Sequence, residues 1–281
     1  MNLVTPVNVP PAQLRIGFDT PLLLLGSCFT DEIGTRLQHA GFDVLCNPFG
    51  TLYNPLSISA CLRRAESGEP FDERDLVFHD GLCHSWHHHG SFSHPDAAVC
   101  LSRCNKALGR TRAFLLRRPV LLLTFGTAYA FFLNDPGSPH HGRVVANCHK
   151  LPAARFVRRR LTVDEIAGAF PALPPCILTV SPIRHLADGA HEGQLSKSAL
   201  LLAVERLCAQ GATYFPSYEI MLDELRDYRF YARDMCHPSD LAADIIWQRF
   251  QQAFMDDAVR ARLLLNEKAF RQSQHRPIHQ L

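Results

Sequence analysis

Four leucines in a row, Leu22–Leu25, follow Pro21 and stop at Gly26-Ser27, and a helix-forming segment from Asp31 to Ala40 begins almost at once. So short and unbroken an apolar run, ending in glycine, reads as a strand buried on both faces, the kind found in parallel sheets covered by helices. A strand that breaks at a glycine and feeds a helix leaves the intervening side chain at the carboxyl edge of the sheet, where open α/β sheets bind their ligands. Ser27 therefore has the position of a nucleophile, provided the rest of the chain supplies a base.

The pattern recurs. Asp43–Cys46, Val120–Thr124, Ile177–Val180 and Thr213–Phe215 are further short apolar runs that read as strands. Between them lie helix signals. Asn54 can cap a helix with Pro55 at its first position, running toward Arg64. Thr162-Val-Asp-Glu165 is a capping box for a short helix toward Ala169. Ser196 opens an apolar-periodic helix through Cys208, stopped by Gly211, and Ser239 or Asp240 caps another from Leu241 to about Phe254 that resumes to about Phe270. Strands alternating with helices predict one α/β domain over residues 1–270, with a mainly parallel sheet covered on both faces. Residues 66–119 stand apart. They carry the His/aromatic-rich stretch His84-Ser-Trp-His-His-His-Gly-Ser-Phe-Ser-His94 and a helix from Pro95 to about Leu116, read here as a lid-like insertion over the carboxyl edge. Residues 271–281 read as a polar, frayed tail.

Composition narrows the function classes. With 47% hydrophobic and 20% charged residues among 281, the chain can bury a full core, which argues against disorder. A formal charge of +2 is too small to indicate a polyanion partner. The run Arg155-Phe-Val-Arg-Arg-Arg160 reads as a solvated face rather than a nucleic-acid surface. Ten cysteines are scattered without a CxxC pair, no basic region precedes an export signal, and Leu22–Leu25 is too short to span a membrane. The expectation is a cytoplasmic protein with reduced thiols and no membrane partner. P-loop, GxGxxG and GxSxG motifs are missing from the sequence, and no cofactor is expected.

The base for Ser27 comes from Asp234-Met-Cys-His237, where a carboxylate three residues before a histidine can turn back to its ring and fix the tautomer. Cys28 is the alternative nucleophile, since helix amino termini lower thiol pKa. Consecutive residues point apart in such a turn, so only one faces the cleft, and Ser27 is preferred. Arg184 and His185 follow the strand Ile177–Val180. Arg184 can hold a carboxylate or phosphate through its planar fork, or brace an acidic loop residue such as Asp234. His149 and Lys150 are weaker candidates of the same kind. His84, His87, His88, His89 and His94 invite a metal reading, but HExxH or Cys-pair spacing is missing, and a polar, aromatic lid is the preferred reading; no metal ligands are assigned.

Gly26-Ser-Cys-Phe-Thr30 resembles the signature of the GSCFA family, a branch similar to the SGNH (GDSL-like) hydrolases. Asn47-Pro-Phe-Gly-Thr-Leu-Tyr-Asn-Pro55, Thr124-Phe-Gly-Thr127, Val145-Ala-Asn-Cys-His-Lys150, Ser181-Pro-Ile-Arg-His185 and Asp234-Met-Cys-His-Pro238 resemble its later blocks in order, so the resemblance covers roughly residues 20–250. Thr30 stands where the signature has Ala, at a position where Thr serves as a helix cap. The resemblance implies a three-layer α/β/α, flavodoxin-like fold and a triad of Ser27, Asp234 and His237. It also implies three oxyanion donors: the N–H groups of Ser27 and Gly50, and an asparagine side chain. Where Gly-x-Asn-Asp is expected the chain reads Gly126-Thr-Ala-Tyr129, so Asn147, or more weakly Thr127, is the substitute. The implied function is hydrolysis, through an acyl-enzyme, of a small acyl ester such as an acetate, carried by a carbohydrate or small metabolite. Two alternatives stand beside it: a ligand-binding or acyl-transfer module on the same scaffold, and a metal-dependent enzyme built on the histidine stretch.

Overall fold

The structure, a computed structural model, describes residues 4–274. Along the chain come β1 (Leu22–Gly26), α1 (Cys28–His39), β2 (Val44–Cys46), α2 (Pro55–Ser67), β3 (Leu76–His79), β4 (Leu82–Ser85), α3 (Ala97–Leu115), β5 (Val120–Phe125), β6 (Tyr129–Leu133), β7 (Val144–Val145), β8 (Phe156–Arg160), α4 (Val163–Gly168), β9 (Cys176–Val180), α5 (Ala190–Ala209), β10 (Thr213–Phe215), α6 (Ser217–Glu219), α7 (Asp240–Phe254) and α8 (Asp257–Gln274).

Successive side chains of a strand point to opposite faces, and the leucine run uses both. Leu23 and Leu25 pack with Leu121, Leu123 and Leu178 against α2, α3, α4 and α5. Leu22 and Leu24 pack with Leu122 and Ile177 against α1, α7 and Leu263 of α8. Each buried leucine contributes about 1.5–3 kcal/mol, and the two apolar faces explain why the run shows no alternation.

The five-stranded sheet has the order β10-β9-β5-β1-β2, with every pair parallel. Numbered among themselves, these strands run 2-1-3-4-5, a doubly wound order whose direction reverses between β1 and β5. Their carboxyl ends flank a crevice there, and Ser27 and Cys28 lie at its edge.

Local signals explain the helix ends. Asn54 Oδ1 accepts from Ser57 N at 2.9 Å with Pro55 at the first position, and Gly68 (φ 70) closes α2. The Thr162–Glu165 capping box has both of its bonds. Ser239 caps α7, and the chain breaks at Met255 before α8. Helix α5, however, begins at Ala190 rather than Ser196. Gly193 weakens the helical pattern in its first turns, and tertiary packing overrides that weakness. Ser196 sits inside the helix and accepts a bond from Ala128 N at 2.8 Å.

The 66–119 section divides in two. Helix α3 is the crossover between β2 and β5, burying Cys100, Cys104 and Leu108 in the same cluster as Leu23 and Leu25. The rest forms a β3–β4 hairpin turning on Asp80-Gly81 (φ 48 and 73), followed by the histidine stretch. A second, antiparallel sheet of order β7-β6-β8 was not readable from the sequence. Its β8 strand exposes most of its residues, so it presents no apolar run. The arginines there are exposed and paired: Arg158 with Asp188, Arg159 with Glu165, Arg160 with Glu192. Residues 271–274, read as the start of a tail, continue α8, and 275–281 lie outside the described residues. Among the described residues no helix is long and apolar enough to cross a membrane.

Candidate active site

The end of β1 is held by a small polar clamp. Gly26 N donates to Asn47 Oδ1 at 2.9 Å, and Asn47 Nδ2 donates to Asp31 Oδ1 at 2.7 Å. This ties the end of β1, the end of β2 and the first turn of α1 together. Ser27 is the extended N-cap residue of α1 (φ −72, ψ 179), yet its side chain makes no cap bond. Its Oγ is buried and has no hydrogen-bond partner among the described residues. An unpaired buried hydroxyl costs about 1–3 kcal/mol.

The second half of the site is the loop before α7. Tyr231 bridges Pro238, Ala232 N donates to His237 O at 2.8 Å, and Ser239 N donates to Phe230 O at 2.7 Å, so the loop closes like a hairpin. Met235 (φ 59) makes the tight turn inside it. Asp234 Oδ1 accepts the N–H groups of Cys236 (2.9 Å) and His237 (3.0 Å), and Oδ2 lies 2.6 Å from His237 Nδ1. The His237 N–H, the Cys236 N–H and the imidazole together lower the Asp234 carboxyl to about 2. The ionised carboxylate assigns the proton to Nδ1 and leaves the Nε2 lone pair free. Arg184 braces this loop through its carbonyls rather than through Asp234. Its N–H donates to Cys236 O at 3.0 Å and Nη1 to Met235 O at 3.3 Å, while its guanidinium lies 5.0 Å above the Tyr231 ring.

The free lone pair of His237 meets Cys28, with Nε2 and Sγ 3.3 Å apart. Asp234 and His237 are in contact with each other, and the group within reach of His237 Nε2 is the Cys28 thiol rather than the Ser27 hydroxyl. Ser27 precedes the helix with its side chain buried, whereas Cys28, the first helical residue, is only partly buried. Contrary to the expectation that only one of them faces the cleft, both line a cleft of about 370 Å³ with Tyr53, His185 and His237, and no residue of 66–119 contributes to it among the described residues. Burial raises the Cys28 thiol above its ordinary value, opposed by the N–H groups of Cys28 and Phe29 at the start of α1. Those two amides belong to the set a helix leaves without intrahelical partners.

The other expected residues have different places. Gly50 N–H donates to Asn47 O at 2.8 Å, so it is not free to meet an oxyanion. Its glycine is required instead because φ is 77 and a Cβ would stand 2.3 Å from His89 Cβ. Asn147 Oδ1 accepts His149 N at 2.8 Å, and the residue lines a neighbouring cleft of about 510 Å³ together with Thr127. Thr127 Oγ1 pairs with Ser196 Oγ at 3.1 Å and accepts Tyr129 N at 3.0 Å. His185 borders both clefts and donates Nε2–H to Gly126 O at 3.2 Å; burial first, then Lys197, lowers its pKa. His149 lies beneath the hairpin instead, with Nε2 2.8 Å from Ser85 O and its pKa pushed by burial to about 4. Lys150 is an exposed turn residue (φ 59). The histidine stretch does not gather into one ligand set. His84 is held by Ser93 and His79, His88 by Ser85, His89 by Ser91 and His94 by Asp96, and only His87 reaches away. All ten cysteines are free.

Lys197 is a buried cation beside the site that no motif in the sequence marks. It lies on the buried face of α5 at helical spacing from Leu200 and Val204. Nζ donates to Gly126 O at 2.8 Å and Ser181 O at 2.7 Å, joining the loops after β5 and β9. Burial pushes the ammonium down to about 7, and the charge of a Cys28 thiolate acts in the opposite direction. The unfolded chain binds this proton up to about 10.5 while the folded chain releases it near 7. Lys197 therefore contributes stability that is present above about 10.5 and is lost as pH falls to about 7, at up to roughly 1.4 kcal/mol per pH unit. Urea unfolding of the native protein and of Lys197→Met at several pH values checks this. The difference between the two should change in the native protein's favour as pH rises through that window, and a constant difference would contradict a depressed amine.

A family model described as GSCFA family matches residues 21–250, from the residue before β1 into α7. No curated protein and no solved structure matches the chain.

Proposed function

The chain belongs to the GSCFA family, and from that membership and the geometry of residues 26–28 and 234–237 we propose that it transfers acyl groups from esters through a thioester on Cys28. One observation carries this reading: the relay in which Asp234 Oδ2 lies 2.6 Å from His237 Nδ1 and His237 Nε2 lies 3.3 Å from Cys28 Sγ. A nucleophile, a base within reach and an oriented tautomer are the three parts covalent acyl transfer requires.

His237 Nε2 accepts the Sγ proton as the sulfur attacks the ester carbonyl carbon. The negative charge that develops on the carbonyl oxygen is met by the amide N–H of Cys28, with the positive end of α1 behind it. His237 then returns its proton to the departing alkoxide, and the acyl group remains on sulfur. Water, losing a proton to the same nitrogen, attacks the thioester and releases the acid, while Cys28 leaves as thiolate and is reprotonated by His237. Asp234 stays ionised throughout and stabilises the imidazolium. Lys197 holds the carboxyl ends of β5 and β9 in register with this centre.

The substrate class this supports is a small acyl ester of a carbohydrate or small metabolite, and the fold reading is a scaffold similar to the SGNH hydrolases. Support comes from the 2-1-3-4-5 strand order and the placement of the relay where that order reverses. The cleft borders a second, aromatic-lined one containing Tyr53, Tyr129 and Phe131, with room for the alcohol part of an ester. A second reading makes Ser27 the nucleophile, since Ser27 lines the same cleft and its hydroxyl is uncommitted.

The test is intact-mass and peptide analysis of the protein quenched during turnover of p-nitrophenyl acetate. An acetyl adduct on the peptide at Cys28, released by neutral hydroxylamine, is the expected result. A hydroxylamine-resistant adduct on Ser27 establishes the second reading, and neither adduct nor turnover ends both.

A further inference from the structure

Asp75, His87 and His140 come from three separate parts of the chain: the turn before β3, the segment after β4, and the loop between β6 and β7. Their ligand-type atoms all lie within 4.8 Å of one another, with Asp75 Oδ1 3.3 Å from His87 Nε2 and 3.2 Å from His140 Nε2. Asp75 and His140 are buried, with side chains 5% and 7% exposed. The first contact is not a hydrogen bond in its alignment: His87 Nε2 is buried and has no hydrogen-bond partner among the described residues, although it lies close to the carboxylate. Two groups that approach without pointing at each other have the relation of ligands that point at a common centre. Nitrogen and oxygen ligands about 2.0–2.1 Å from a tetrahedral zinc ion stand about 3.3–3.4 Å apart, which the two distances from Asp75 Oδ1 match.

The surroundings are those of a prepared ligand set. The other carboxylate oxygen of Asp75 is occupied, accepting from Arg64 Nη2 at 3.0 Å and Asp72 N at 2.9 Å, so Oδ1 is left toward the imidazoles. Hydrogen bonds of this kind orient ligating carboxylates. His87 also borders a cleft of about 500 Å³ that shares no residue with the one around Cys28. The nearby Arg64 charge opposes a cation, so the affinity must come from the two imidazoles and the carboxylate rather than from net charge.

We infer that Asp75, His87 and His140 bind one divalent transition-metal ion of the zinc type, clipping the β3–β4 hairpin to the loop between β6 and β7. A three-ligand set leaves a fourth tetrahedral position to be filled by a water or another small ligand. The histidine stretch then contributes a single ligand, with the other two supplied from outside it. The site stands apart from the Cys28 relay and does not depend on the acyl-transfer reading.

The experiment uses the full chain, stripped with chelator and titrated with Co²⁺ and Zn²⁺ under reducing conditions, for native protein, His140→Gln and His87→Gln. Native protein should take up one equivalent with the ligand-field absorption of a nitrogen- and oxygen-bound Co²⁺, and Zn²⁺ should raise its melting temperature. Each variant should bind at least tenfold more weakly and lose that rise, while retaining the circular dichroism of the native fold. Absence of Co²⁺ absorption in the folded native protein would overturn the inference. So would equal binding by native protein and both variants, or the strong sulfur-to-metal charge-transfer band of a cysteine site as the sole signal.

Discussion

His237→Ala should lower kcat/KM for an activated short-chain ester by about a thousandfold or more, because it removes the only imidazole that contacts the Cys28 thiol among the described residues. Cys28→Ala should lose a comparable amount, and the double variant should be scarcely worse than either single one, since groups acting as one relay are non-additive. His237 and Asp234 are about half exposed, so alanine at 237 should leave the unfolding midpoint nearly unchanged. That separates a chemical loss from a folding one. Ser27→Ala supplies the contrast. If the thiol is the nucleophile, the variant should keep activity within about tenfold. It should also be as stable as the native protein or more so by about 1 kcal/mol, because it deletes a buried hydroxyl without a partner among the described residues. Steady-state kinetics and urea unfolding on the four proteins decide the matter. Abolished activity in Ser27→Ala alongside an active Cys28→Ala would exchange the roles of the two residues.

The three central parallel strands were legible because strands buried on both faces become uninterrupted apolar runs. The edge strands β2 and β10 are only partly buried. The equally apolar Ala199–Val204 lies in helix α5, so flanking turn signals and length complete the distinction. The Asp234–His237 pair was legible for a different reason: a three-residue spacing closes on itself in a turn, so its geometry is local. The choice between Ser27 and Cys28 is not local in that sense. It depends on where α1 takes its first helical residue, which the clamp of Asn47 on Gly26 and Asp31 decides from the end of β2. Gly50 illustrates the same limit. The sequence shows that a glycine is wanted after β2, but the reason is His89, nearly forty positions along the chain. Lys197 did carry a signal, a cation three residues before Leu200 and seven before Val204 on a buried stripe. Asp75 and His140 carried none, since neither has a ligand-spaced neighbour and only the tertiary fold brings them to His87.

The largest stability effect should come from one methyl group at the hinge of the site. Gly26→Ala places a Cβ 2.4 Å from Thr124 O, 2.6 Å from Thr30 Oγ1 and 2.8 Å from Thr124 Cβ, at a residue whose φ is 154. Thr124 lies in the neighbouring central strand and Thr30 in the first turn of α1, both fully buried. A side-chain rotation can relieve the second contact but not the first, because the carbonyl belongs to β5. Relief requires β1 and β5 to part where Gly26 pairs with Thr124, so overpacking and backbone strain add to about 3–5 kcal/mol. Gly109→Ala is the control: it lies within α3 with no atom near its added Cβ, and should stabilise by about 0.5–1 kcal/mol. Urea midpoints shifted in opposite directions are the expected result, and matching midpoints would show that the β1–β5 junction is looser than its geometry implies. The folded fraction of Gly26→Ala should also label at Cys28 more slowly than native protein. The displacement that relieves the clash pulls Gly26 N from Asn47, and with it the turn that presents the thiol to His237.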